Sequence, residues 1–330
     1  MTDFDAGKGA RSRAYISRTD AGFAETGAGG PPLGAAGRVK QVRALERGLD
    51  VLLAVREAGS ISGGTSGTGG GGLSLNALHS RLGLPKATLL RLLQTLSAKG
   101  LVWRRLADGA WLPGQSNGPA RGTDPATRLA EIASPLLVEL SQAVVWPSVI
   151  AVPRFDHLEI IETNSPVTRF DFAALGPVGA KLSYLHTATG RAYLSACDEA
   201  EREAIVARLR PAGIGAEAAD DGIRRIESIV EDTRARGYST REPHHPWADR
   251  NRQMVLRDGK ASMAVAVVMP VASSSVAGGY MPGGRAIAAI NITWPARRAR
   301  VEEVAGQHLV TLRAVADRLG ALALAESFIR

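Results

Sequence analysis

LNALHSRLGLPKATLLRLLQTLSAKGL, residues 75–101, is the stretch that decides the fold. It reads as two short helices joined by a tight turn. The first runs from about Leu75 to Leu82, with Leu75, Leu78 and Leu82 on one face. Gly83 stops it, because glycine takes the left-handed conformation that ends a helix at little cost. Pro85 suits the first turn of the next helix, where its missing N–H is not needed. That second helix sets Leu89, Leu92, Leu93 and Leu96 inward at i, i+3, i+4, i+7. Its other face carries Lys86, Thr88, Leu90, Arg91 and Gln94, and Gly100 ends it. A strand over residues 101–105, a turn at Asp108-Gly109 and a second strand over 110–112 follow. Helix, turn, helix and two-stranded wing make a winged helix-turn-helix, an arrangement that lays its second helix against DNA.

Charge separates this reading from a bland three-helix packing element. Between Arg38 and Gly114, eleven Lys/Arg stand against four Asp/Glu, a net of +7 in a chain of +8. Residues 1–37 sum to zero and residues 115–330 to +1. A basic patch attracts phosphates and releases their counterions, so this segment is expected to bind double-stranded DNA. The 330 residues, 45% of them apolar, allow two domains of ordinary size. No run of eighteen apolar residues appears, so no membrane span is expected. The N-terminus lacks the apolar core of a signal peptide. The single cysteine, Cys197, makes neither an internal disulfide nor a Cys-rich zinc site. A cytoplasmic protein is expected.

Residues 1–37 are rich in Gly, Ala, Ser and Asp and show no apolar period, which predicts a disordered extension. A helix is expected from about Val39 to Glu57, with Val42, Leu45, Leu49, Leu52 and Leu53 as its apolar face. The glycine-rich run 62–72 is not a phosphate-cradling loop, since Leu73 follows it in place of a Lys-Ser/Thr pair and no strand precedes it. It reads as a flexible insertion. A turn-rich linker over 113–124 leads to Asp124, which caps a helix reaching Ala143, with Pro125 at its first position. Pro135 is expected to bend or split that helix. From Trp146 the period changes to strands, expected over 149–152, 158–162 and 167–172. Helices are expected over 187–196, where the small Ala188, Gly190 and Ala192 allow close packing, from Asp198 with a capping box at Glu201, and over 222–236. Strands over 237–241, 263–269 and 285–294 and a closing helix over 296–327 complete the chain, and the loop 272–284 has no visible role. The class is α+β. The expected divisions are 1–37, a winged helix-turn-helix at 38–114, a linker and linker helix at 115–145, and a second domain at 146–330.

Four stretches then carry a resemblance: Val42 to Val55; Arg81 to Leu93; Leu185-His-Thr-Ala-Thr-Gly-Arg-Ala-Tyr-Leu194; and Ala288-Ala-Ile-Asn-Ile-Thr-Trp-Pro295. With them the chain resembles the IclR family of bacterial transcriptional regulators over roughly residues 39–325. The resemblance implies a linker helix followed by a GAF-like α/β domain that binds a small effector. It implies a homodimer or homotetramer on a palindromic operator. Trp146-Pro147, the run Gly190–Leu194, Gly237–Arg241 and Ile290–Trp294 are most similar to members that govern aromatic-acid catabolism, such as hydroxyphenylpropionate degradation. The chain departs from the family at Ala87, where a polar residue is usual, and at Leu90, where histidine is frequent. Leu90 suits a thymine methyl instead.

The candidate DNA contacts are Lys86, Thr88, Arg91 and Gln94 in the second helix, Arg104 and Arg105 in the wing, and Arg43 and Arg47 in the first helix. Arg91 suits a guanine edge or a phosphate and Gln94 an adenine, while Arg104 and Arg105, with Arg43 or Arg47, suit phosphates. For the effector, Asn291 and Thr293 alternate with Ile290 and Ile292 and so share a face. The resemblance places a pocket under the sheet there. Arg241 suits an effector carboxylate, and His186 and Thr187 suit further polar contacts. A plain hydrogen-bonded strand pair is the simpler account of Asn291 and Thr293. His244, His245 and Asp249 offer no fourth ligand, so no metal is assigned and no cofactor is implied. Cys197 reads as a structural thiol ahead of a redox sensor. The expected function is a sequence-specific, effector-modulated transcriptional regulator, not an enzyme. The rival is a sensor or enzyme domain with an accessory winged helix, but no nucleophile elbow, dinucleotide fingerprint or zinc-hydrolase pair supports it.

Overall fold

The computed structural model describes residues 42–60, 71–114, 124–168, 176–209, 216–241, 259–270 and 284–326. The extension 1–37, almost all of the run 62–72, nearly all of the loop 272–284, and His244, His245 and Asp249 lie outside the described residues.

The helix-turn-helix forms as its sequence requires. Helix α1 (Arg43–Ser60) is followed by α2 (Leu75–Leu82) and α3 (Lys86–Ala98). Ser74 caps α2, its hydroxyl accepting the Ala77 N–H at 3.1 Å. Gly83 ends α2 at φ 66°, and its N–H donates to the His79 carbonyl at 2.9 Å. The His79 ring bonds the Leu84 carbonyl across the turn at 2.8 Å. Pro85 sits one position ahead of α3. Val51, Leu52, Val55, Leu78, Leu89 and Leu93 make the core of this part. The α1 expectation needs correcting. Its inward face is Val51, Leu52, Ala54 and Val55, whereas Val42, Leu45, Leu49 and Leu53 stand exposed on the opposite side. The helix is apolar on two faces, and periodicity does not say which one the chain itself covers.

The wing is β1 (Val102–Arg104) paired antiparallel with β2 (Trp111–Pro113). Successive side chains on a strand point to opposite faces. Here that alternation divides the wing between two cores. Val102 and Trp111 face the helix-turn-helix, and Trp103 and Leu112 face the second core.

Helix α4 (Pro125–Ala143) runs through Pro135 as one helix, so the proline does not split it. Ile132, Ala133, Leu136 and Leu137 are buried on both sides of the proline, and this packing outweighs the lost helical bond. Next come β3 (Val149–Pro153) and β4 (Leu158–Thr163), then β5 (Lys181–Leu182). Val167 belongs to a short 3-10 turn, Ser165–Val167, where a strand was expected. Helices α5 (Ala188–Ala196), α6 (Glu199–Leu209) and α7 (Ala216–Arg236) follow. Asp198 caps α6, accepting the Glu201 N–H at 2.8 Å, but the Glu201 carboxylate accepts from the Tyr193 hydroxyl at 2.6 Å, so the expected reciprocal box is half made. Strands β6 (Ser239–Thr240), β7 (Lys260–Met269) and β8 (Arg285–Pro295) and helix α8 (Val301–Ala325) close the fold.

The six strands form one antiparallel sheet in the order β5-β4-β3-β8-β7-β6. Ile150, Met263, Val265, Ile290 and Ile292 turn to one face and pack under α4 and α8. Ala151, Ala264 and Ala289 turn to the other, beneath Ala188, Ala192 and Tyr193 of α5. The alanines are what let α5 lie close. A Cβ at Gly190 would stand 2.3 Å from the Ser183 carbonyl oxygen.

Candidate functional site

The outer face of α3 is built from beneath. Leu89 and Leu93 are fully buried and fix the helix, which leaves Lys86, Ala87, Leu90, Arg91 and Gln94 exposed on the other side. Thr88 is half-buried at the edge of this surface. Arg43 and Arg47 are exposed on α1. A convex helical face bearing an arginine, a glutamine and a lysine matches the shape and donor chemistry of a major groove.

The two wing arginines part company. Arg104 is exposed, lies across the turn and donates from Nε to the Gly109 carbonyl at 3.2 Å. Arg105 is buried and makes a two-pronged bond to Asp108, at 3.0 Å from Nε and 2.5 Å from the terminal nitrogen. The expectation that Arg105 reaches a phosphate is therefore corrected: its charge is spent inside the turn. Burial raises and the Arg105 bonds lower the Asp108 carboxyl, with a net fall below its ordinary value.

On the sheet, Asn291 and Thr293 do share one face, and both are buried. They join Ser262 in a closed network. Asn291 Oδ1 accepts the Val149 N–H at 2.9 Å, and Asn291 Nδ2 donates to Ser262 Oγ at 3.1 Å and Thr293 Oγ1 at 3.3 Å. Thr293 donates to Ser262 Oγ at 3.0 Å, and Ser262 Oγ donates to the Ile292 carbonyl at 3.1 Å. The simpler account, a hydrogen-bonded strand cluster, describes what these side chains do in the structure. Thr187 is likewise occupied. As the cap of α5 it accepts the Gly190 N–H at 3.0 Å and donates to the Ser183 carbonyl at 2.7 Å. His186 is half-buried beside it.

Arg241 and Lys260 stand at the end of the polar network. The Arg241 N–H donates to the Ser262 carbonyl at 3.4 Å, and Lys260 lies two residues along β7 on the Ser262 face. Both are half-buried. Burial lowers the Arg241 pKa, and burial followed by the Arg241 charge lowers that of Lys260. Burial thus disfavours the charged form of both side chains. Lys260 escaped the sequence reading. Its signal is the period of two that puts it on one face with Ser262 and Ala264.

Glu162 also escaped it. Fully buried at the end of β4, its carboxylate accepts from the Leu106 and Ala107 N–H groups of the wing turn, each at 2.9 Å. It also accepts from Ser134 Oγ at 2.7 Å and from the Thr163 N–H at 2.9 Å. Nearby, Arg154 ties Asp124, the cap of α4, at 2.6 Å and Glu159 at 2.9 Å. Among the described residues no three His, Cys, Asp or Glu side chains are grouped to hold a metal, and no helix is long and apolar enough to cross a membrane.

Residues 44–105 match the family model of the IclR helix-turn-helix domain. The chain is similar to the acetate operon repressor of Salmonella typhimurium, 28% identical over 209 residues that cover 62% of this chain and 71% of that protein. It is also similar to the solved Thermotoga maritima IclR, at 17% identity and a TM-score of 0.41, over 84% of this chain and 99% of that one. An IclR homolog from Microbacterium hydrocarbonoxydans, solved in complex with 4-hydroxybenzoate, is 18% identical with a TM-score of 0.42, over 86% of this chain and 99% of that one.

Proposed function

We propose that this IclR-family DNA-binding transcriptional regulator works as a homodimer on a palindromic operator and answers to a small organic acid. The observation that carries the reading is the exposed Lys86, Arg91 and Gln94 on a helix fixed by buried Leu89 and Leu93. Arg91 and Gln94 read base edges, and Lys86, Arg104, Arg43 and Arg47 hold phosphates. Thr88 lies at the rim of this surface.

A palindrome needs two copies with recognition helices about 34 Å apart. The exposed stripe Val42, Leu45, Leu49 and Leu53 supports a second copy as the occupant. Around it Arg43, Glu46, Arg47, Asp50, Arg56 and Glu57 sum to zero, within a segment that is otherwise strongly basic. A face that is apolar at its centre and charge-balanced at its rim is complementary to itself.

The effector carboxylate pairs with Arg241, whose N–H meets the Ser262 carbonyl beside Asn291 and Thr293, with His186 and Thr187 as further polar contacts. Aromatic acids head the list because of the sequence resemblance in the runs Gly190–Leu194 and Ile290–Trp294. The test is a DNA titration on the chain's own upstream region at fixed salt, with and without simple aromatic and aliphatic carboxylates. Selective binding that one acid shifts, and that Arg241→Gln no longer shifts, is expected. Selective binding indifferent to every acid overturns the effector reading. Consumption of an acid favours the enzyme rival.

A further inference from the structure

The wing of this chain is not a free flap. Its inner side chains, Trp103 and Leu112, are part of the core beneath α4, and its turn is gripped by Glu162 from β4. Its other side chains, Val102 and Trp111, are part of the core that carries Leu89 and Leu93 of α3. The wing is therefore a shared wall. Whatever holds its turn also sets how α3 stands relative to the sheet.

We infer that Glu162 is a positioning residue for DNA recognition: from the sheet it pins the wing turn at Leu106 and Ala107 and thereby fixes the orientation of α3. Four donors from the wing, α4 and β4 converge on one buried carboxylate. A buried carboxylate is costly unless its oxygens are fully bonded, so this joint is either made completely or lost. The turn is preformed to meet it. Arg105 and Asp108 brace it from inside, and Asp108 Oδ1 accepts the Ala110 N–H at 3.0 Å. Glutamine at position 162 keeps the shape but turns an NH2 group toward N–H donors, so at least one wing bond is lost.

The inference rests on the proposed reading of α3, and the experiment separates the two. Wild type, Glu162→Gln, Ser134→Ala and Asp108→Asn are compared in the full-length protein by two readouts. The first is hydrogen exchange of the peptide spanning the wing turn. The second is affinity for operator and for random DNA at one salt concentration, well below the unfolding temperature. In Glu162→Gln, exchange at the wing is expected to speed up and operator affinity to fall about tenfold, with random-DNA affinity unchanged. Random DNA feels only charge, whereas a palindrome needs two helices in register. Ser134→Ala leaves both wing bonds in place and keeps operator selectivity within about twofold. Asp108→Asn loosens the turn from its exposed side and, folding normally, shifts selectivity in the same direction as Glu162→Gln by a smaller factor. Faster wing exchange with unchanged selectivity overturns the inference, as does an equal loss on both DNAs, which marks a merely structural role. A wild type without operator preference overturns the reading of α3 itself, while the exchange arm still reports whether Glu162 holds the wing.

Discussion

The exposed stripe on α1 yields the sharpest prediction. Val42 is 64% exposed, Leu45 62%, Leu49 48% and Leu53 55%. Full burial of such a side chain contributes ~1.5–3 kcal/mol, so covering the exposed half contributes about 1 kcal/mol. Eight such side chains in a symmetric pair give about 8 kcal/mol, against an association cost of about 4–15 kcal/mol. On the proposed dimer the stripe thus offsets much of that cost without by itself making the pair tight. Leu45→Ala with Leu49→Ala removes most of four contributions, about 3–4 kcal/mol per dimer. That weakens dimerisation roughly 10²–10³-fold. Alanine is the best helix former and these positions face solvent in the monomer, so α1 itself should not suffer. Sedimentation velocity across a concentration series reads the effect. A double variant that stays dimeric at every concentration where wild type does, or a wild type that is monomeric throughout, refutes the reasoning.

Two further outcomes follow from packing and burial. Gly190→Ala places a Cβ 2.3 Å from the Ser183 oxygen and 2.5 Å from Tyr184 Cα, both backbone atoms, so α5 must lift off the strand connection. A loss of about 1–3 kcal/mol, seen as a melting point several degrees lower, is expected, and an unchanged melting point refutes the contact. Burial pushes the Cys197 thiol up to about 12. Its neutral form therefore stabilises the fold below the ordinary thiol value near 9, and that contribution fades as pH rises toward 12. At neutral pH a thiol reagent should label Cys197 only on unfolding, and rapid labelling of the folded protein would revive the redox-sensor alternative.

The helix-turn-helix was legible because its signals are local. Ser74, Gly83 and the leucine period act within a few residues, and α2 and α3 appear where they predict. The closing strands were legible for the same reason, β7 from its apolar run 263–269 and β8 from its apolar-rich run with alternating Asn291 and Thr293. What escaped depends on distance. Arg104 and Arg105 are neighbours of one type, and only the fold turns one outward and folds the other onto Asp108. Glu162 meets Leu106 across 56 positions of chain, which no period records. Thr187 opens α5 as its sequence predicts, but the bond from its hydroxyl back to the Ser183 carbonyl is not signalled by any period. Pro135 does not split α4, because the buried neighbours on both sides hold the helix together.

The central claim is that α3 reads DNA sequence, and a salt series of binding titrations tests it most directly. Wild type and Arg91→Ala are titrated on the chain's own upstream DNA and on random DNA. The account predicts clear preference for the upstream DNA, and a loss in the variant of ~1–3 kcal/mol there that exceeds its loss on random DNA. Equal affinity of the wild type for both DNAs, or an Arg91→Ala protein that binds its operator like the wild type, would contradict it.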